Sequence, residues 1–399
     1  MSQPCKTPNW WVSEYNFLKE IRDTFHLPGR VIFHDATLRD GEQTPGVVFR
    51  KEEKVAIARK LAEVGVHRIE AGMPAVSQED FEAIKAISGL GLKSQIMVFC
   101  RAHEDDIDKA AASGADGVIL EVPSGLPRLM YQFNWTEREV IERSIKAIRY
   151  AKSKGLYVVF FPYDTTRAEL RFLKELVTEV AEKARPDSVT VVDTTGVALP
   201  QAMYYLVRQV KQWVDIPVEV HTHNDFGMGV ATTIAAVEAG AEVVHVCVNG
   251  LGERCGNAAL DEVALSLAGL LGMNLDLRLD KLYELAKLVE EHSRVRLANN
   301  KPISGEVCFT REIGLGMDVI KKEPTAILPI RPESVGRSFR LVLGKKSGKA
   351  SIKLKLESMG ITADDQQIDT LLNRVKLLSI REKRYLTDDE FNEIIKEVL

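Results

Sequence analysis

Short runs of β-branched and aromatic residues alternate with longer amphipathic segments along most of the chain. Eight such runs occur, at residues 31–35, 66–72, 94–100, 116–122, 156–162, 187–193, 217–223 and 242–248. The segments between them have helical periodicity, for example 51–64, 77–88, 136–154, 167–184 and 227–239. Strands that alternate with helices predict parallel strands joined by right-handed crossovers. Eight such units in about 240 residues have the size of a (β/α)8 TIM barrel, which is the predicted α/β fold.

The alternative fold is a doubly wound open sheet. Such a sheet usually has fewer strands and carries a glycine-rich phosphate loop after its first strand. No G-x-G-x-x-G sequence follows the first predicted strand of this chain. The barrel is therefore favoured.

The alternation of strands and helices stops near residue 273. We predict an N-terminal arm and helix over 1–28, the barrel over 29–273, and an accessory region over 274–399. The accessory region is small and mainly helical, with predicted helices near 279–294, 349–358, 364–378 and 387–398.

Composition and charge limit the classes of partner. The chain has 399 residues, of which 45% are hydrophobic and 28% are charged, and its formal net charge is −4. This balance gives no electrostatic reason to expect nucleic acid or an anionic membrane as partner. No apolar stretch approaches the roughly 18 residues that a membrane-spanning helix needs.

The cysteines indicate the compartment. Five are present, widely spaced and without a C-x-x-C pair, which argues against a disulfide framework or a zinc knuckle. We expect buried, reduced thiols and a cytoplasmic location. The N-terminus lacks a basic start followed by an apolar core, so no secretory signal is expected.

Polar residues collect where the predicted strands end. In a barrel these ends share the face on which active sites are built. The residues concerned follow six different strands and include Arg39, Asp40, Glu70, Glu121, Asp164, Arg167, Thr194, His221 and His223.

The H-T-H sequence at 221–223 is the sharpest chemical signal. Residues i and i+2 of a strand face the same side, so His221 and His223 can reach one metal ion. Asp40, in the segment 38–46, would supply a carboxylate ligand, and Asn257 a neutral oxygen ligand. The structural alternatives are two core histidines, a surface Arg39–Asp40 pair, and a glycine-rich turn over 250–257.

Three ordered motifs carry a family resemblance. The sequences D-A-T-L-R-D-G-E-Q (35–43), H-T-H-N-D (221–225) and N-G-L-G-E-R-C-G-N (249–257) resemble those of the HMGL-like, pyruvate-carboxyltransferase-like metal enzymes. This family includes 2-isopropylmalate, homocitrate and citramalate synthases and, more distantly, 3-hydroxy-3-methylglutaryl-CoA lyase. The resemblance implies an acyltransferase of amino-acid biosynthesis that condenses acetyl-CoA, its co-substrate, with a 2-oxo acid. It also implies a divalent metal (Mg, Mn or Zn), small-molecule substrates and a homodimer, with the accessory region over 274–399 acting as a lid and in dimerisation.

The resemblance further implies roles for individual residues. Asp40, His221, His223 and Asn257 would bind the metal, Arg39 would stabilise the enolate oxygen, and Thr194 would hold the carboxylate of the 2-oxo acid. The expected substrate-binding set adds Gln43, Glu70 and Arg167.

The chain departs from the family pattern at several positions. Residues 160–167 read F-F-P-Y-D-T-T-R where synthases typically have F-S-x-E-D-x-x-R, and three family histidines appear as Arg311, Gly316 and Lys346. These changes leave the general base open among Tyr163, Asp164 and Glu121. Arg311 and Lys346 would hold a second carboxylate or a CoA phosphate, near the neighbouring subunit's active site, or are surface charges.

Two further expectations remain. Cys255 is expected to be a buried thiol or one beside the site, because its surrounding motif has the synthase form. The alternatives to the condensation are a lyase that runs the related cleavage, and a non-catalytic barrel that binds a metabolite.

Overall fold

The computed structural model describes residues 5–314 and 316–399, apart from the side chains of Asp318 and Lys321. The chain forms two compact units. One comprises Glu14–Arg296, and the other comprises Met1–Ser13 together with Leu297–Leu399.

The first unit contains a closed barrel of eight parallel strands in chain order. Strand β1 pairs with β2 on one side and with β8 on the other, which closes the sheet. The predicted (β/α)8 barrel is confirmed, and each predicted run overlaps one strand, although β3, β4 and β5 extend one residue beyond their runs. The strands are β1 Ile32–Asp35, β2 Arg68–Glu70, β3 Gln95–Arg101, β4 Gly117–Pro123, β5 Tyr157–Tyr163, β6 Ser188–Asp193, β7 Val218–Thr222 and β8 Val243–Val246.

Helices surround the barrel and follow its strands. They are α1 Lys19–Arg22, α2 Lys51–Val64, α3 Gln78–Ser88, α4 Glu104–Ala112, α5 Leu126–Arg128, α6 Glu137–Ser153, α7 Leu170–Ala184, α8 Pro200–Trp213, α9 Gly229–Glu238, α10 Leu260–Leu265 and α11 Leu282–Ser293. Helix α6 shows why such segments fold as they do. Thr136 and Glu139 form a capping box at its start, and its buried face turns Val140, Ile148 and Ala151 inward.

The alternation of side chains along each strand creates two cores. On β5, Phe160 belongs to the large cluster between strands and helices, whereas Phe161 belongs to a smaller, separate one. The smaller cluster consists of Met97, Phe99, Ile119, Val159, Phe161, Tyr163 and Val192. Since alternate residues of a strand face opposite sides of the sheet, this cluster lies inside the barrel, beside the strand ends.

The second unit has a hydrophobic cluster of its own. Buried residues of its C-terminal helices, such as Ile352, Leu371 and Phe391, form this cluster. The elements are β9 Thr310–Arg311, paired in parallel with β10 Arg340–Leu341, and the helices α12 Met317–Lys322, α13 Lys349–Ser358, α14 Asp365–Glu382 and α15 Asp388–Val398. No helix among the described residues is both long enough and apolar enough to span a membrane.

None of the five cysteines, all of which lie in the described part of the chain, forms a disulfide. Cys5, Cys100 and Cys247 are buried as expected, and Cys308 is partly buried. The expectation of a buried thiol is wrong for Cys255, which is exposed because it lies in the loop after β8 rather than in a strand.

Candidate active site

A cavity of about 270 Å³ opens at the carboxyl ends of the barrel strands. Most of the residues predicted from the sequence line it, namely Arg39, Asp40, Gln43, Glu121, Tyr163, Thr194, His221 and His223. Arg39 and Asp40 are held there by a hydrogen-bonded turn after β1. Asp35 accepts a hydrogen bond from the backbone N–H of Thr37, and the Thr37 hydroxyl accepts one from Val248 after β8.

Three potential metal ligands converge in the cavity. Oδ2 of Asp40 lies 3.2 Å from Nε2 of His221 and 3.6 Å from Nε2 of His223. The two Nε2 atoms are 3.4 Å apart, and all three side chains are buried. Oδ1 of Asp40 has no hydrogen-bond partner among the described residues. A buried carboxylate between two imidazoles is a donor set that fits a divalent cation.

The protonation of these residues suits a cation. Burial opposes ionisation of Asp40, but Arg39 and the two imidazoles outweigh it and hold the carboxyl pKa well below its ordinary value. Burial lowers the pKa of His223 to about 4, and it also lowers the pKa of His221 against the opposing charge of Asp40. A carboxylate and two neutral imidazoles, the ligand forms of these side chains, are therefore present at neutral pH.

Asn257 is placed beside this group. It forms an isolated antiparallel bridge with His223, and its Nδ2 donates to the carbonyl of Leu251 over 3.0 Å. This leaves its buried Oδ1 without a hydrogen-bond partner among the described residues. Gly252 makes the arrangement possible, since its φ is 147° and a Cβ there would lie 2.2 Å from Nδ2 of Asn257. The amide oxygen is thus available as a further ligand.

Arg39 is fixed on several sides. Its Nε donates to Oε1 of Glu70 over 2.6 Å, and Nη1 donates to Oε1 of Gln43 over 3.2 Å. The guanidinium lies 4.2 Å from the ring centre of Phe99. Burial alone would lower its pKa, but Glu70 and Asp40 raise it above the ordinary value. A permanent cation is therefore held in one orientation, and its Nη2 has no hydrogen-bond partner within the described part of the chain.

A buried polar chain continues from Glu70 through the barrel. His34 lies 3.0 Å from Glu70 and stacks on His245, with ring centres 4.1 Å apart. His245 is hydrogen-bonded to Glu219, which accepts a 2.6 Å hydrogen bond from Arg68. His34, Glu219 and His245 also lie close enough together to be grouped as possible metal ligands, but Nε2 of each histidine is already hydrogen-bonded to a carboxylate, that of Glu70 or of Glu219.

The sequence prediction places His34 and Glu70 at strand ends but misses Glu219 and His245. These two are polar residues between apolar neighbours, at Glu219 in PVEVHTH and His245 in EVVHVCV. That pattern is the signal that could have revealed them, since a charged residue within a buried strand needs a partner.

The remaining predicted residues divide into two sets. Thr194 lines the cavity, and its Oγ1 accepts a 2.7 Å hydrogen bond from the backbone N–H of Asp164. Asp164 and Arg167 are not among the cavity-lining residues, because the Asp164 carboxylate accepts two hydrogen bonds from the Arg167 guanidinium, at 2.7 and 2.8 Å. Glu70 also lies behind the lining, where it contacts Arg39.

Glu121 and Tyr163 differ in their ability to act as a base. Burial raises the pKa of Glu121 to about 7, although Arg39, Arg128 and Arg101 oppose the shift. Burial also raises the pKa of Tyr163 above its ordinary value, with Glu121 adding to the effect. At neutral pH Tyr163 is therefore a neutral phenol, while Glu121 readily gains or loses a proton.

The Arg39–Glu70 pair generates a prediction about stability. Burial opposes ionisation of Glu70, but Arg39 and then His34 lower its pKa from 4.5 to about 2. The ionised group therefore stabilises the fold fully above about pH 4.5, and the contribution is lost as the pH falls towards 2. Glu70→Gln should lower the free energy of unfolding at neutral pH by about 3 kcal/mol, since it leaves Arg39 without its main counter-charge.

Denaturant titration at neutral pH and at about pH 3 measures both effects. The difference between Glu70→Gln and the unsubstituted protein should shrink at the lower pH. Glu182→Gln, on the exposed part of α7, is the matched control and should change neither value. Equal stability of Glu70→Gln and the unsubstituted protein at neutral pH would contradict the role given to Glu70.

Comparison with known proteins identifies the family of this chain. The model of the HMGL-like family matches residues 30–289, and that of the homocitrate synthase post-HMGL domain-like family matches residues 303–383. A probable 2-isopropylmalate synthase of Methanopyrus kandleri is 46% identical over 357 residues, covering 90% of this chain and 71% of that protein. Homocitrate synthase AksA of Methanothermobacter thermautotrophicus is 39% identical over 390 residues, covering 98% of each chain.

The solved structures agree on the fold. An HMG-CoA lyase of Bacillus subtilis superposes with a TM-score of 0.62 at 16% identity, covering 70% of this chain and 98% of that one. The family resemblance predicted from the three motifs is therefore confirmed. The chain belongs to the HMGL-like family of TIM-barrel enzymes, among the synthases that carry a homocitrate-synthase type of domain after the barrel.

Proposed function

We propose that the protein catalyses the divalent-metal-dependent condensation of acetyl-CoA with a 2-oxo acid. The product is a 2-hydroxy dicarboxylic or tricarboxylic acid, and the enzyme is an acyltransferase of the same type as its synthase relatives. The observation that carries the proposal is the convergence of Asp40, His221 and His223 beside a fixed Arg39.

The metal-binding set is Asp40, His221, His223 and Asn257. Oxygen and imidazole ligands of this kind suit Mg, Mn or Zn. When bound, such a cation draws electrons from the ketone of the 2-oxo acid and makes its carbon more electrophilic.

Arg39 and Thr194 orient the reacting acid. The Thr194 hydroxyl already accepts from the N–H of Asp164, so its own proton is free to be donated to the substrate carboxylate. Arg39 directs its unpartnered Nη2 towards negative charge that develops on oxygen. One preorganised donor of this kind typically contributes about 3 kcal/mol to transition-state stabilisation.

Glu121 is the proposed general base. The carboxylates that line the cavity are Asp40, Glu121 and Glu253. Asp40 belongs to the metal-binding set, and Glu253 forms an exposed ion pair with Arg254. Glu121 is therefore the carboxylate left to act as the base, and its pKa of about 7 suits proton transfer at neutral pH.

The proposed reaction balances in two steps. Glu121 takes a proton from the methyl group of acetyl-CoA, and the resulting enolate carbon forms a bond to the ketone carbon of the acid. The ketone oxygen takes a proton back from protonated Glu121, which restores the base, and becomes the hydroxyl group. Water then cleaves the thioester, which gives CoA as a thiol, a new carboxylate and one proton released to solvent.

Thiol release from acetyl-CoA tests this function directly. Free CoA should appear only when both a 2-oxo acid and Mg²⁺ or Mn²⁺ are present, and Asp40→Asn should abolish it. Asp225→Asn, which changes an aspartate paired with Arg254, is a control that should retain turnover. Failure of every 2-oxo acid to release thiol, with cleavage of a 3-hydroxyacyl-CoA instead, would favour the lyase alternative.

The assignment of Glu121 predicts a pH dependence. The charged and titratable groups that influence Glu121 are Arg39, Arg101, Arg128, Glu253 and Tyr163. A base must be deprotonated, so kcat/KM should rise as the pH increases through about 7. Glu121→Gln should lower kcat roughly 10²- to 10⁴-fold and remove this rise.

The pH–rate profiles of Glu121→Gln and of the control Glu182→Gln measure this effect. Glu182→Gln should keep the profile of the unsubstituted enzyme, because its side chain is exposed on α7 and does not line the cavity. A rise in kcat/KM that persists in Glu121→Gln would exclude Glu121 as the base.

Assembly and location form the last part of the proposal. We propose a cytoplasmic homodimer, with Arg311 or Lys346 reaching the neighbouring subunit's active site. The free cysteines fit a reducing compartment, and the dimer is supported by the family resemblance.

A further inference from the structure

Resting on the proposed condensation, we infer that this site selects a 2-oxo acid with an uncharged, apolar side chain and discriminates against 2-oxo dicarboxylic acids. The inference comes from the division of the barrel interior into a polar half and an apolar half. The two named relatives act on different acids, so family membership does not settle this choice.

The polar half of the interior is formed by β1, β2, β7 and β8. Its buried side chains are His34, Arg68, Glu70, Glu219, His221 and His245. The apolar half is formed by β3 to β6 and contains the cluster of Met97, Phe99, Ile119, Val159, Phe161, Tyr163 and Val192. Its charged cavity-lining residues are Arg101 and Glu121, near the carboxyl ends of β3 and β4. Since half of this barrel accommodates buried charge, the apolar composition of the other half is not imposed by the fold.

Two phenylalanine rings bring the apolar half into the site. We call Phe99 and Phe161 the phenylalanine wall. The Phe161 ring centre lies 5.4 Å from that of His221, and the Phe99 ring centre lies 4.2 Å from the Arg39 guanidinium. The two rings meet edge to face, 5.8 Å apart. An acid held at Thr194, Arg39 and His221 therefore has its side chain next to these rings.

Among the described residues that line the cavity, no cation is left over for a second carboxylate at the phenylalanine wall. Arg39 is paired with Glu70 and directs its remaining Nη2 to the reacting oxygen, and Arg101 makes two hydrogen bonds to Asp106, at 2.8 and 2.9 Å. A carboxylate against the rings would lose its hydration without gaining an ion pair, which is strongly unfavourable.

Arg128 is the remaining cation that lines the cavity. It bonds to Gln132 and lies 5.9 Å from the ring centre of Tyr163. Tyr163 is two residues beyond Phe161 on β5, so it lies about 7 Å further out along the strand. Arg128 is therefore at the rim beside Glu121, away from the phenylalanine wall.

Binding and turnover of paired acids test the inference. The probes are 3-methyl-2-oxobutanoate and 2-oxoglutarate, offered to the Mn²⁺-loaded full chain. Isothermal titration without acetyl-CoA gives Kd, and thiol release with acetyl-CoA gives kcat/KM. We expect 3-methyl-2-oxobutanoate to be favoured at least tenfold in both. Equal or tighter binding of 2-oxoglutarate would overturn the inference.

The two readouts separate this inference from the proposed function. Tighter binding of 3-methyl-2-oxobutanoate without thiol release from any acid would sustain the selectivity and reject the condensation. Thiol release with 2-oxoglutarate as the better substrate would support the condensation and overturn the selectivity. Absence of binding by either acid would overturn the selectivity.

A matched pair of variants locates the selectivity. Phe161→Leu changes the ring at the site, whereas Phe160→Leu makes the same change on the same strand but towards the outer helices. We expect Phe161→Leu to reduce the preference for 3-methyl-2-oxobutanoate several-fold and Phe160→Leu to leave that ratio unchanged. An equal ratio in both variants would remove the phenylalanine wall from substrate selection.

Discussion

The buried ion pair between Arg39 and Glu70 is the interaction on which the site depends. Oε1 of Glu70 accepts a 2.6 Å hydrogen bond from Nε of Arg39, and Oε2 of Glu70 is hydrogen-bonded to Nε2 of His34 over 3.0 Å. The same guanidinium keeps Asp40 ionised between two imidazoles. Removal of Glu70 would therefore affect the orientation of Arg39 and the charge of Asp40 together. The placement of charge in this site is a property of a connected network rather than of separate residues.

The barrel supplies both environments that the chemistry needs. Strands β1, β2, β7 and β8 bring buried polar groups to one side of the cavity, and β3 to β6 bring apolar side chains to the other. On the polar side, the fixed Arg39 cation lies near the negative charge that develops during the reaction. On the apolar side, the hydrocarbon side chain of the 2-oxo acid can lose its water without burying an unpaired charge. Parallel strands in one closed sheet bring these contributions to the same face.

Much of this arrangement can be predicted from the sequence. The eight β-branched runs locate all eight strands, and His221, His223 and Asp40 are recognisable because they follow strands whose ends must meet. Side-chain partners are harder to foresee. Asp164 follows β5 at a position expected for a general base, but its carboxylate accepts two hydrogen bonds from Arg167, three residues later.

The contacts of Glu219 and His245 are hidden for a similar reason. Each of these residues is an isolated polar position between apolar neighbours in its strand, and only barrel closure brings β1, with His34, next to β8. The exposure of Cys255 likewise depends on the path of a loop, which hydrophobic patterns do not determine.

Anomalous diffraction from crystals soaked in Zn²⁺ tests the central claim most directly, because it locates the cation without relying on activity. The account predicts a peak at the zinc edge about 2.1 Å from a carboxylate oxygen of Asp40 and from Nε2 of both His221 and His223, with Asn257 beside it. A fully soaked crystal with no peak between these residues, or with its strongest peak elsewhere in the barrel, would contradict the account.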